Sequence, residues 1–198
     1  MFDLVSLIET AGYIGLFAII FAESGLFFGF FLPGDSLLFT AGFLASQGFL
    51  NIYLLVPFLF VAAVLGDNVG YAFGYRFGPA FFSKKNSFFP HKDYIEKTEK
   101  YFQKYGGKTI VIARFVPVVR TFAPILAGIA KMDYKNFVFY NIIGGFLWAV
   151  GVTVLGFYLG STIPNIDHYL VPIILVIVAT SILPGIWQLV SARRSGEK

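Results

Sequence analysis

Two carboxylates lie in a stretch of the chain that is otherwise almost wholly apolar. Glu23 and Asp35 belong to residues 21–45 and stand on either side of the helix-breaking pair Pro33-Gly34. Placing one ionisable side chain at membrane depth costs roughly 2.5–3.5 kcal/mol even on the lenient insertion scale. Two such groups beside a break in the helix therefore indicate a functional site within the membrane.

A second apolar stretch, residues 109–130, contains two arginines. Arg114 and Arg120 suit a phosphate ligand, because a guanidinium is always charged and donates to two oxygens at once. In an unbroken helix the two side chains would point about 240° apart, so a break at Pro117 is what lets both face one cavity. The alternative is a buried ion pair with the two carboxylates that only holds the segments together, and the two roles can coexist.

Glu23 and Asp35 are candidates for carrying protons. Burial disfavours the charged form of a carboxyl, whereas a neighbouring arginine favours it, and a group under both influences can gain and lose a proton. A protonated carboxyl would release its arginine, which could then take a phosphate. Permanent ionisation in a structural ion pair is the alternative, and Asp35 could instead cap the helix that follows the break.

The composition indicates a polytopic membrane protein with one membrane domain. Of the 198 residues, 57% are hydrophobic and only 13% are charged, and the mean hydropathy is +0.75; soluble domains lie far from these values. There is no cysteine and there are only two histidines, so we expect no metal site and no cofactor. Without a Ser-His pair or a metal set, we expect no enzyme.

The apolar and polar stretches divide the chain into five parts. We expect an interfacial helix at 1–10, a first repeat at 11–82, an amphipathic linker at 83–108, a second repeat at 109–161 and a C-terminal transmembrane helix at 169–191. The linker contains seven lysines and is expected on the cytoplasmic side, as is the C-terminus.

Within each repeat we expect a re-entrant helical hairpin followed by a transmembrane helix. The run 36–45 would span about 15 Å as a helix, half of the roughly 30 Å apolar core, so it should turn back at Pro33-Gly34. The lysines of the linker and Lys131 can share the cytoplasmic side only if 109–130 also returns to the side it entered from.

The two hairpins should open on opposite faces, which makes the protein an all-α inverted repeat with its site near the midplane. Matching small residues support the repeat: Ala41-Gly42 with Gly74 and Gly78 in the first half, Ala127-Gly128 with Gly156 and Gly160 in the second. Asp67 and Asn68 interrupt the first span, where they are either contacts between helices or a secondary part of the site.

Three motifs resemble those of the DedA family, also called the VTT or SNARE-associated family of membrane proteins. They are E-S-G…F-L-P-G-D at Glu23–Asp35, G-D-N-x-G-Y-x-x-G at Gly66–Gly74 and R-F-V-P-V-V-R-T at Arg114–Thr121. The resemblance implies paired re-entrant hairpins and lipid translocation, in bacteria linked to undecaprenyl phosphate or phospholipid and dependent on the proton gradient. The acidic pair and the arginine pair of the family fall on the four charged residues described above.

The resulting prediction is a multi-pass transporter of the bacterial inner membrane that moves a lipid phosphate, best represented by undecaprenyl phosphate, with protons. The alternatives are a phospholipid scramblase, for example of phosphatidylethanolamine, and a proton-coupled transporter of small cations. The expected partners are a membrane lipid and protons, with no nucleic acid, and a homo-oligomer is left open.

Overall fold

The computed structural model describes residues 4–25, 34–82 and 105–162, and all regular elements in these ranges are helices. The predicted all-helical fold is therefore confirmed for this part of the chain. Pro33, most of the linker and the C-terminal helix predicted at 169–191 lie outside the described residues. The helices are α1 Leu4–Gly25, α2 Gly34–Ser46, α3 Ile52–Phe82, α4 Lys108–Ala113, α5 Pro117–Ile129, α6 Tyr134–Gly145 and α7 Gly151–Thr162, with a π-helical turn, Phe146–Val150, between the last two.

Two helices are long and apolar enough to cross a membrane. The first is Ile52–Gly78 within α3, and the second is Tyr134–Thr162, in which α6, the π-helical turn and α7 are continuous. By contrast, α2 and α5 have 13 residues each and are about 20 Å long, less than the roughly 30 Å apolar core of a bilayer. Their lengths agree with the predicted short legs, while their re-entrant course through the membrane stays a prediction.

The N-terminal helix is longer than its predicted parts. α1 runs without a break from Leu4 to Gly25, so residues 4–10 are the beginning of the same helix that contains Glu23. Where the membrane surface lies along this helix stays a prediction.

Each short helix packs against the long helix of the other half of the chain. α2 lies against α7, and α5 lies against α3. Glycines allow this close approach, because a Cβ atom on Gly42 would overlap the carbonyl oxygen of Thr153, and one on Gly128 would overlap that of Tyr71. The backbones of the packed helices are therefore in direct contact.

The contacts in the two halves correspond position by position. Gly156 of α7 faces the carbonyl oxygen of Phe39 on α2, just as Gly74 of α3 faces that of Ile125 on α5. The sequence analysis matched these glycines between the two halves. In the structure they take part in one set of packing contacts that occurs in both halves. The inverted direction of the second half stays a prediction.

The equivalent glycines Gly42 and Gly128 provide a test of this packing. We expect Gly42→Ala and Gly128→Ala each to destabilise the protein by about 1–3 kcal/mol, because the new methyl group meets backbone that cannot move aside. Thermal unfolding of the detergent-solubilised protein measures the effect. Gly151→Ala is the matched control, since a Cβ at Gly151 has no atom within 4 Å, and it should be neutral or stabilising by about 0.5–1 kcal/mol. Equal stability of the three variants would contradict the packing.

Candidate functional site

Arg120 joins three helices through two carboxylates. It lies in the first turn of α5, and its Nη1 donates a hydrogen bond to Oδ1 of Asp35 at 2.7 Å. Its Nη2 donates to Oε1 of Glu23. Glu23 is in the last turn of α1, and Asp35 is in the first turn of α2. The three predicted site residues are therefore in contact, at the ends of their helices.

The three side chains of this cluster differ in their access to solvent. The Glu23 side chain is 1% exposed and that of Arg120 is 9% exposed, whereas Asp35 is 28% exposed. Oε2 of Glu23 and Nε of Arg120 are buried and have no hydrogen-bond partner among the described residues. Among the described residues, the cluster thus has two buried polar atoms without a hydrogen bond, next to the more exposed carboxylate of Asp35.

Gly34 brings the carboxylate of Glu23 to the beginning of α2. A Cβ atom on Gly34 would overlap that carboxylate, so a side chain at this position would displace it. The N-terminus of a helix favours a negative charge because its amide groups are unpaired and its dipole is positive there. The structure therefore gives Gly34, predicted as part of the hairpin break, a second role in positioning Glu23.

Asp35 lies inside the first turn of α2, which begins at Gly34. The alternative of a helix-capping aspartate is therefore wrong. Its carboxylate instead accepts hydrogen bonds from two partners on other helices. Besides Arg120, the indole Nε1 of Trp148 donates to the same oxygen, Oδ1, at 2.6 Å.

Trp148 is a site residue that the sequence analysis missed. It is 2% exposed and lies in the π-helical turn between α6 and α7. Its ring centroid is 4.7 Å from Cζ of Arg120 and 5.7 Å from Cζ of Arg114. A signal existed, because the chain has only two tryptophans and a buried indole N–H usually requires an acceptor.

Arg114 forms a separate ion pair with Asp67. It follows α4 directly, and its Nη2 donates to Oδ2 of Asp67 and, at 3.3 Å, to the carbonyl oxygen of Ala63. Its Nη1 donates to the carbonyl oxygen of Asn141 at 3.3 Å. The Arg114 and Asp67 side chains are only 3% and 5% exposed. The structure thus brings Arg114 to the carboxylate that the sequence assigned a secondary role.

A break in the helical conformation separates α4 from α5. The chain leaves the helical conformation at Val116, where φ is −112° and ψ is 109°, and α5 begins at Pro117. Arg114 and Arg120 consequently approach the same indole ring, although they pair with different carboxylates.

Two asparagines near Arg114 have structural partners. Nδ2 of Asn68 donates to the carbonyl oxygen of Val64 at 2.7 Å, and its Oδ1 accepts a hydrogen bond from Tyr134 at 3.0 Å. Asn141, which the sequence analysis did not single out, donates to the same Val64 oxygen at 3.1 Å. Both residues connect α3 to α6, and Asn68 has no contact with either arginine among these hydrogen bonds.

Protonation would act differently on the hydrogen bonds of the two arginines. In the described ranges, no group of three or more His, Asp or Glu residues able to hold a metal occurs. The hydrogen-bond partners of Arg120 among the described residues are two carboxylates, which protonation would neutralise. Arg114 is held in addition by two main-chain carbonyls, which protonation leaves unchanged.

The buried Arg114–Asp67 pair leads to a prediction about stability. We expect Asp67→Ala to lower the free energy of unfolding by about 3–5 kcal/mol, because it leaves Arg114 buried without a counter-charge. The double variant Asp67→Ala/Arg114→Met should be less destabilised than Asp67→Ala alone, since no buried charge is then unpaired. Thermal unfolding of the two purified variants measures this difference, and a double variant that unfolds at the same temperature as Asp67→Ala, or at a lower one, would refute the pairing.

Comparison with known proteins identifies a domain family and named relatives. The sequence matches the VTT domain over residues 32–158. Protein DedA of Escherichia coli K12 is 45% identical over 188 residues, which are 94% of this chain and 85% of that protein. No solved structure gives a significant match.

Two further relatives are named as membrane proteins. The uncharacterized membrane protein ML0287 of Mycobacterium leprae is 47% identical over 168 residues, 85% of this chain and 75% of the relative. The inner membrane protein YqjA of Escherichia coli K12 is 36% identical over 152 residues, 76% of this chain and 68% of the relative. The resemblance inferred from the three motifs is confirmed: this chain is a membrane protein of the DedA family and carries the VTT domain.

Proposed function

We propose that this protein moves a lipid phosphate, best represented by undecaprenyl phosphate, across the bacterial inner membrane together with protons. The observation that supports this function most directly is Arg120, whose guanidinium is buried in an apolar domain and is shared by Glu23 and Asp35. A guanidinium binds phosphate oxygens with the same two-pronged geometry that it uses for carboxylates. A phosphate can therefore replace one of these carboxylates.

Protons make this replacement favourable. When all groups are ionised, the three carboxylates of the two clusters outnumber the two guanidiniums, so a further anion would enter a site with excess negative charge. Protonation of Glu23 or Asp35 removes that excess and weakens the hold of the carboxylate on Arg120. The phosphate then takes the released donors of the guanidinium, and its departure allows the proton to leave.

Arg120 is the primary phosphate ligand in this mechanism, and Arg114 has a supporting part. Arg114 has three acceptors in the resting arrangement, namely Asp67 and two main-chain carbonyl oxygens. Its charge contributes to the positive potential near the Trp148 ring. No bond of the lipid needs to break, so we propose transport and no enzymatic step.

The arrangement of helices supports alternating access. We propose that the two halves are inverted repeats, in which α2 and α5 are the returning legs of re-entrant hairpins and meet near the midplane. The polyprenyl tail would remain in the lipid, outside a protein surface that presents many large apolar side chains. The linker and the C-terminus would lie on the cytoplasmic side, as their basic residues indicate.

The two alternative functions make different demands on the same residues. A transporter of small cations needs carboxylates that are free to bind the ion, whereas Glu23 and Asp35 already share Arg120. A phospholipid scramblase could use Arg120 on a phosphodiester, but it would not need protons. Headgroup selectivity and the effect of a proton gradient therefore separate the three functions.

Leaflet-resolved uptake of labelled undecaprenyl phosphate into proteoliposomes tests the proposal. We expect Arg120→Ala to reduce the uptake rate about 10- to 100-fold, the effect of losing a hydrogen-bonded charged partner, and Arg120→Lys to give an intermediate rate because it keeps the charge without the fork. Arg76→Ala is the matched control, since Arg76 is exposed on α3, and it should transport normally.

Each variant is first shown by thermal unfolding to be folded. Unchanged uptake by a folded Arg120→Ala protein would refute the phosphate assignment. Equal movement of several phospholipid headgroups without a proton gradient would identify a scramblase instead. Competition of uptake by a monovalent cation, with no lipid movement, would favour the cation transporter.

A further inference from the structure

We propose that Trp148 is a positioning residue of this site, which holds Asp35 when Arg120 turns to the phosphate and so sets the affinity for the lipid phosphate. The inference rests on the proposed function, because it assumes that the phosphate binds at Arg120. Trp148 is uncharged and contacts both Asp35 and Arg120. Three observations carry it.

The first observation is that two donors share one oxygen atom. Nη1 of Arg120 and Nε1 of Trp148 both donate to Oδ1 of Asp35, at 2.7 Å and 2.6 Å. If Arg120 leaves Asp35 for a phosphate, the indole N–H remains as a hydrogen-bond partner of the carboxyl group, protonated or not. Without Trp148 the carboxyl group would also lose this second hydrogen bond, so Trp148 lowers the free energy of the phosphate-bound state.

The second observation is the position of the ring. Its centroid is 4.7 Å from Cζ of Arg120 and 5.7 Å from Cζ of Arg114, distances at which an aromatic face attracts a cation. This attraction does not depend on the carboxylates. The ring can therefore keep Arg120 near its resting place after the ion pair has opened.

The third observation is the backbone that presents the indole. Residues Phe146–Val150 form a π-helical turn, closed by a hydrogen bond from the amide of Gly151 to the carbonyl oxygen of Phe146. Such turns are rare and occur frequently at functional sites, because the extra residue redirects a side chain. The corresponding stretch of the first long helix, residues 64–68, is regular α-helix without an aromatic side chain. The turn thus departs from the internal repeat at the position where the indole enters the charged cluster.

Glycines next to the turn make room for the neighbouring arginine. A Cβ atom on Gly145 would lie 2.6 Å from Nη1 of Arg114 and 2.9 Å from Cγ2 of Val64. The second long helix therefore leaves room for the Arg114 guanidinium directly before its turn. The hydrogen bond from Trp148 to Asp35 argues against Trp148 as simple apolar filling of the core.

The uptake assay with undecaprenyl phosphate separates a positioning role from a structural one. Trp148→Phe keeps an aromatic ring and removes the N–H donor, and we expect it to raise the half-saturating lipid concentration about tenfold, with a maximal rate within about twofold of the wild type. Trp148→Leu removes the donor and the ring, and it should raise that concentration further. Trp187→Phe, at the other tryptophan of the chain, is the matched control and should change neither value.

The possible results of the uptake assay distinguish failure of this inference from failure of the proposed function. An unchanged half-saturating concentration in folded Trp148→Phe overturns the inference while the proposed function stands. A fall in maximal rate that parallels a loss of thermal stability, with no change in half-saturation, also overturns it, because this is the result of a structural role. Absence of uptake by the wild type refutes the proposed function and the inference together.

Fluorescence gives a second measurement if the Trp148 variants do not fold. In a Trp187→Phe protein, Trp148 is the only tryptophan, so its emission reports on its hydrogen bond and on the nearby guanidinium. We expect saturating undecaprenyl phosphate in detergent to change this emission, and we expect no change in the same protein with Arg120→Ala. Emission that is constant through the titration, in a protein that transports the lipid, overturns the inference.

Discussion

The requirement that a buried charge find an opposite charge shapes the centre of this protein. In an apolar domain an unpaired guanidinium or carboxylate is strongly unfavourable, and Arg120 meets the requirement for two acids at once because its fork donates in two directions. Glu23 and Asp35 reach it only from the last turn of α1 and the first turn of α2. The positions of these helix ends therefore bring both carboxylates to one guanidinium.

The glycine contacts attach the short helices α2 and α5 to the long helices. Gly42 and Gly128 place the backbones of α2 and α5 directly on the long helices. Each glycine lies about two helical turns beyond the charged residue on the same short helix, Asp35 in one case and Arg120 in the other. One end of each short helix thus has close backbone contact with a long helix, while its other end carries a charged residue of the Arg120 ion pairs.

Charged residues within an apolar stretch could be predicted as site residues from the sequence, because burying a charge is unfavourable. Glu23, Asp35 and Arg120 belong to this group, and the repeated glycines were also predictable, because spacing and composition are local properties of the chain. The partner of Arg114 was not predictable in this way, since both arginines have similar neighbours in the sequence. The choice of Asp67 depends on how the helices cross, which no local pattern records.

Neutral polar residues give a weaker signal than charged ones. Asn141 and Trp148 lie in the largely apolar helix Tyr134–Thr162, so their inward direction cannot be inferred from an alternation of polar and apolar positions. A π-helical turn adds to the difficulty, because one extra residue in such a helix leaves no trace in the composition. The charged residues of the site were therefore predictable from the sequence, whereas the contacts of Asn141 and Trp148 are evident only in the structure.

Arg114 and Arg120 differ in what would be required to separate them from their partners, and on the proposed function this difference determines which arginine takes part in transport. Moving Arg114 would leave Asp67 and two main-chain carbonyl oxygens without a donor, and a proton could compensate only the first of these. Among the described residues, the hydrogen-bond acceptors of Arg120 are two carboxylates, both of which a proton can neutralise. On the proposed function, a cycle therefore separates Asp35 from Arg120, while Arg114 continues to hold α3 against α6.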